Sequence, residues 1–146
     1  MFKKLISFFI LLIITSSTTA YAELAIIVHP DYDGGELNEE MVKEIFLGEA
    51  TTFPSGHKAI PANHSNGSPD RKYFLEYVLK MGETRHERYW ARKKSTGKKG
   101  APDELNSHAD VLDWVAKTPL GISYIDKNMV TDKVKALFTV LVFEDL

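Results

Sequence analysis

Leu24-Ala25-Ile26-Ile27-Val28, stopped by His29-Pro30, is an unbroken apolar run of strand length and reads as a buried strand. The chain then changes period. Asp31 to Glu36 is acidic and glycine-bearing, which makes a turn. Asn38 is placed as a helix N-cap, with Glu39 and Glu40 in the first turn, where the helix dipole favours acids. Met41, Val42, Ile45 and Phe46 form the apolar stripe, and Gly48 closes the helix.

The alternation continues downstream. Thr51 to Gly56 is a loop with Phe53-Pro54 as its apolar plug, and Lys58 to Ala62 is a weaker strand candidate. Asn63 to Ser68 is a polar loop that runs into a second helix, with Ser68 as N-cap, Pro69 at the first helical position and Asp70 next. Tyr73, Phe74, Tyr77, Val78 and Met81 give its buried face, and Gly82 closes it. A third helix is predicted from about Thr84 to Lys93, presenting Tyr89 and Trp90, before a basic, glycine-bearing loop to Pro102. Ser107 and Asp110 resemble a capping box ahead of Val111, Leu112, Trp114 and Val115, and Pro119 ends that helix. Leu120 to Ile125 and Val134 to Phe143 read as the last strands. Strands alternating with helices predict an α/β domain.

Upstream lies a different kind of segment. Lys3-Lys4, the apolar run Leu5 to Ile14 and the small residues of Ala20-Tyr21-Ala22 form the three-part design of a secretory signal. Residues 1–22 are therefore predicted to be a cleavable signal and residues 23–146 one domain, delivered to the periplasm. No later stretch is long and apolar enough to span a membrane. The 146-residue chain has a formal net charge of −2, and losing Lys3 and Lys4 makes the remainder more acidic, which argues against a nucleic-acid partner. The absence of cysteine excludes disulfides, thiolate metal sites and cysteine nucleophiles.

The loop from His64 to Arg71 is the most informative candidate site. A polar loop feeding a capped helix start offers unpaired N–H groups at the positive end of a dipole, a natural seat for an anion. Ser68 adds a hydroxyl, His64 a ring donor and Arg71 a forked cation. Ser-Pro-Asp is also simply a good helix start, Pro69 has no N–H to give, and Asp70 places a negative charge nearby. The run Arg85, His86, Arg88, Arg92, Lys93, Lys94, Lys98, Lys99 reads more simply as a solvated helix face and loop than as a binding patch. Histidines stand at 29, 57, 64, 86 and 108 without a metal-ligand spacing, so no metal and no cofactor is expected. No nucleophile elbow or phosphate-binding glycine loop occurs, and a binding module is expected rather than an enzyme.

In order, Glu23 to Pro30, Leu37 to Glu44 and Ile45-Phe46-Leu47-Gly48 resemble the opening of the second lobe of phosphate ABC transporter substrate-binding proteins, periplasmic binding proteins of type II. Asn66-Gly67-Ser68, followed by Phe74 and Tyr77, stands where that family has an Asp-Gly-Ser-Gly-Thr loop and its helix. Thr118-Pro-Leu-Gly-Ile-Ser-Tyr-Ile125 is similar to the family's Thr-Pro-Gly-Ala-Ile-Gly-Tyr-Val. The resemblance spans about Glu23 to Asp126. It implies a single lobe of the periplasmic-binding-protein fold, a mixed sheet flanked by helices, binding phosphate or another small oxyanion. An ABC transporter or membrane sensor is the implied partner. The implied ligand set is Ser68, Gly67, Asn66, His64 and Arg71.

Two departures shape the expectation. The chain is too short for two lobes, so half of the usual ligand donors are missing. In the loop, His64 stands at the family's arginine position and Asn66 at its aspartate position. Pro69 and Asp70 replace two donors, and Arg71 is the candidate to restore the lost charge. Two readings therefore stand side by side: a one-lobe oxyanion-binding protein, and a binding-protein fold reused as an interaction or sensor module that displays an apolar patch. A phosphate-ester hydrolase is a third and weaker option, because neither a nucleophile nor a metal set is legible.

Overall fold

The computed structural model describes residues 21–143, so most of the predicted signal and the last three residues lie outside the described residues. Five strands, β1 (Tyr21–Val28), β2 (Ile60–His64), β3 (Asp103–Leu105), β4 (Gly121–Asp126) and β5 (Lys135–Phe143), form one sheet in the order β3-β2-β4-β1-β5. Four helices, α1 (Glu39–Phe46), α2 (Pro69–Tyr77), α3 (Glu83–Ser95) and α4 (His108–Lys117), connect and cover it. β2 runs parallel to β3 and β4, whereas β1 is antiparallel to both β4 and β5. The sheet is mixed and flanked by helices, as the resemblance implied.

The unbroken apolarity of Leu24–Val28 has a direct cause. Leu24, Ile26 and Val28 face a core built with α1 and α2, including Val42, Phe46, Phe74 and Leu75. Ala25 and Ile27 face the opposite side, against Val111, Leu112 and Val115 of α4. A strand covered on both faces has no position left for a polar residue.

The helix starts follow the predicted caps. Asn38 Oδ1 accepts from the Met41 N–H at 2.9 Å, and Ser107 Oγ from the Asp110 N–H at 3.1 Å. Gly48 has a φ of +68°, and its N–H reaches the Ile45 carbonyl at the end of α1. The second helix departs from expectation. α2 stops at Tyr77 and not at Met81, and the left-handed residue after it is Lys80, with φ +57°. Gly82 is the N-cap of α3, not the terminator of α2. The chain turns early because Val78, Leu79 and Met81 are drawn back onto the core against Phe74 and Leu75. β2 begins two residues later than predicted and takes in Asn63 and His64. The short charged strand β3 is an element the sequence pattern did not suggest.

Candidate functional site

β2 and β4 are neighbours for only two residue pairs, Ile60 with Gly121 and Pro61 with Ile122. Pro61 has no N–H for the ladder, and the strands part there. Side chains bridge the gap that opens. Ser123 Oγ donates to the Ala62 carbonyl at 2.8 Å, His64 Nε2 meets the Tyr124 carbonyl, and Asp70 Oδ2 accepts from the Asp126 N–H at 2.9 Å. This splayed end lies at the carboxyl end of parallel strands, where open α/β sheets place their ligands.

His64 is 2% exposed and lies over the Tyr124 ring, with centroids 4.6 Å apart. A carbonyl can only accept, so Nε2 carries the ring proton. Nδ1 keeps its lone pair, with Ser68 Oγ at 3.4 Å. Burial holds the imidazole below its usual pKa, against the Tyr124 carbonyl and Asp70, which raise it. His64 is therefore a neutral ring built into the core. Ser68 caps α2, its Oγ accepting from the Arg71 N–H at 3.5 Å. Asn66 and Gly67 are exposed beside it, and Gly67 has a φ of +90° that favours glycine.

Arg71 sits differently from its predicted role. The residue is 4% exposed, and all three guanidinium nitrogens are engaged. Nε and Nη2 form a fork onto the Glu83 carboxylate, while Nη1 donates to Glu104 at 2.9 Å and to the His64 carbonyl at 3.0 Å. The fork onto Glu83 raises the arginine's pKa and lowers that of Glu83. Two carboxylates offset its charge before any ligand arrives. Glu83 and Glu104 come from α3 and β3, distant in sequence, and no spacing rule could have found them.

Sequence reasoning also missed Asp70 and His108 as members of this site. His108, in the first turn of α4, brings Nε2 to 2.9 Å from Asp70 Oδ2. A groove of about 940 Å³ opens at the α2 start, with Asn66, Gly67, Ser68, Arg71, Lys80 and Glu83 among its lining residues. The five candidate residues thus gather at one helix start: Asn66, Gly67, Ser68 and Arg71 line the groove, and His64 is buried next to Ser68. The basic run is mostly a solvated face, as expected. Arg85, Arg88, Arg92 and Lys94 are exposed, His86 is buried against Trp90, and Lys93 donates to the Leu47 carbonyl at 2.6 Å. No helix among the described residues is long and apolar enough to cross a membrane.

A mixed five-stranded sheet with these helices is the architecture of one lobe of the phosphate-transport substrate-binding proteins. A protein from Clostridium perfringens, described as a phosphate ABC transporter substrate-binding protein with bound phosphate, superposes with a TM-score of 0.65 at 20% identity, over 82% of this chain and 45% of that one. An ABC-type phosphate transport receptor from Vibrio cholerae gives 0.65 at 18% identity, over 82% and 47%. PstS from Borrelia burgdorferi gives 0.61 at 22%, over 81% and 47%. The chain spans a little under half the length of each. No family model matches the chain.

Proposed function

We propose that the chain is an exported, single-lobe binding protein of the phosphate-transport type. It is not an enzyme, and it takes phosphate or a related oxyanion at the start of α2. The carrying observation is the turn at that helix start, with Asn66 and Gly67 exposed and Ser68 half-buried, on a fold shared with a protein solved with bound phosphate. Asn66 offers an amide, Ser68 a hydroxyl whose contact to His64 is long enough to yield, and the first turn the Asp70 N–H, since Pro69 has none and that of Arg71 goes to Ser68 Oγ. Export follows from the predicted signal, and cleavage after Ala22 would take Tyr21 and Ala22 from the start of β1. The physiological setting is the periplasm, with an ABC transporter or a membrane sensor as partner.

Calorimetric titration with phosphate, with sulfate as control, tests this reading. Saturable phosphate heat is expected, weakened at least about tenfold in Ser68→Ala; loss of the cap costs that variant about 1 kcal/mol of stability. Absence of heat from either anion at millimolar concentration would sink it.

A second reading has its own observations. Arg71 is already neutralised by Glu83 and Glu104. Leu141 and Phe143 are exposed on β5, and both remain after the predicted cleavage. A spent cation and an apolar surface suit an interaction or sensor module.

A further inference from the structure

We propose that His64, Asp70 and His108 form a site for one divalent transition-metal ion of the zinc or cobalt kind. One ring nitrogen from each histidine and one Asp70 carboxylate oxygen lie within 4.8 Å of one another. Tetrahedral bonds of about 2.0–2.2 Å put neighbouring ligand atoms roughly 3.3 Å apart, so the three need to close by about 1.5 Å at most. His108 can supply that movement, because its side chain is 40% exposed. Asp70 and His64 are held from behind.

The donor set selects the metal class. Two imidazoles and one carboxylate suit zinc, cobalt or nickel, whereas calcium and magnesium prefer oxygen alone. The orienting contacts are those of a ligand shell. His64 gives its Nε2 proton to the Tyr124 carbonyl and keeps the Nδ1 lone pair, with the ring fixed against Tyr124. Asp70 Oδ2 also accepts from the Asp126 N–H.

The surrounding charge permits a cation. Glu83 and Glu104 offset the nearby Arg71 guanidinium, and Asp70 adds a further carboxylate. In the metal-free chain His108 Nε2 and Asp70 Oδ2 contact each other directly at 2.9 Å, and an ion bound between them replaces that contact. The three ligands come from the end of β2, the start of α2 and the start of α4. Their sequence spacing therefore follows no metal motif. The site stands whether or not an oxyanion binds at Ser68.

The test uses full chain purified without a histidine tag and stripped with chelator. Cobalt(II) is titrated in while its visible ligand-field bands are followed, and zinc is then added as competitor. One equivalent is expected to bind at micromolar concentration or tighter and to be displaced by zinc. His108→Ala, checked for folding by far-UV circular dichroism, is expected to weaken binding at least about 100-fold, beyond what losing a mere orienting partner costs. His57→Ala removes another histidine beside a carboxylate, Asp33, and is expected to change nothing. No saturable band below millimolar cobalt overturns the site, as does equal binding by wild type and His108→Ala.

Discussion

Arg71→Ala is expected to lower the unfolding free energy by about 3 kcal/mol, measured by urea titration at neutral pH. Breaking a buried ion pair from one side costs about 3–5 kcal/mol, because it strands the other charge. The lower end applies because Glu83 and Glu104 both reach solvent and are partly rehydrated once the guanidinium goes. The His64 carbonyl loses its donor as well. Arg71→Lys keeps the charge and loses the fork, so it should fall between wild type and alanine. A loss under about 1 kcal/mol for alanine would show that the network adds nothing beyond an ordinary surface pair.

The same network sets a pH dependence. Burial first, and the Arg71 charge second, hold His86 below its ordinary 6.5. The unfolded chain therefore takes up a proton that the folded one refuses, and stability falls as pH drops below 6.5. Hydrogen bonding to Arg71 holds Glu83 below its ordinary 4.5. Its contribution is complete above that value and is lost as pH falls through the lower folded-state value. In Arg71→Ala the acid stage should flatten, since the cause of the Glu83 depression is gone, and the His86 stage should shrink. An unchanged profile would mean that neither group responds to Arg71.

The elements that announced themselves did so through chemistry confined to a few neighbouring residues. Asn38, Ser68 and Ser107 each cap their own helix, and the Leu24–Val28 run is buried on both faces, so each signal is complete within its own segment. Gly82 misled because a glycine after an apolar stripe can end one helix or begin the next. The choice was made by Val78 and Leu79 packing back onto Phe74, a tertiary contact. β3 escaped because Asp103-Glu104-Leu105 has no strand pattern of its own; it is a strand because β2 offers it an edge. At the site, the candidates near the α2 start were legible as a cluster because they are neighbours in sequence. Their states were not. Arg71 looked like a ligand cation until Glu83 and Glu104 arrived from two other elements, and His64 looked like a loop donor until Tyr124 lay under its ring.

Tyr124 carries the second large effect. Tyr124→Ala is expected to cost about 4–5 kcal/mol, the upper range for removing a buried aromatic side chain. The ring is wholly buried and sandwiched. Phe74 stacks on it at 3.9 Å between centroids, and His64 at 4.6 Å. Its hydroxyl accepts from the His64 N–H and donates to Asn63 Oδ1, each at 3.2 Å, and burial pushes its pKa far up, so it stays neutral. Tyr124→Phe separates the two contributions. It keeps the stack and strands one donor and one acceptor, at an expected cost of about 1–3 kcal/mol. Equal losses in the two variants would mean that the hydroxyl, and not the ring, holds this core. A domain of this size has about 5–15 kcal/mol to lose, so the alanine variant should melt at far lower temperature by near-UV circular dichroism. The phenylalanine variant should fold with His64 still supported. Ligand titrations on it then ask whether the site needs the ring alone or the hydroxyl that pins the end of β2 to β4.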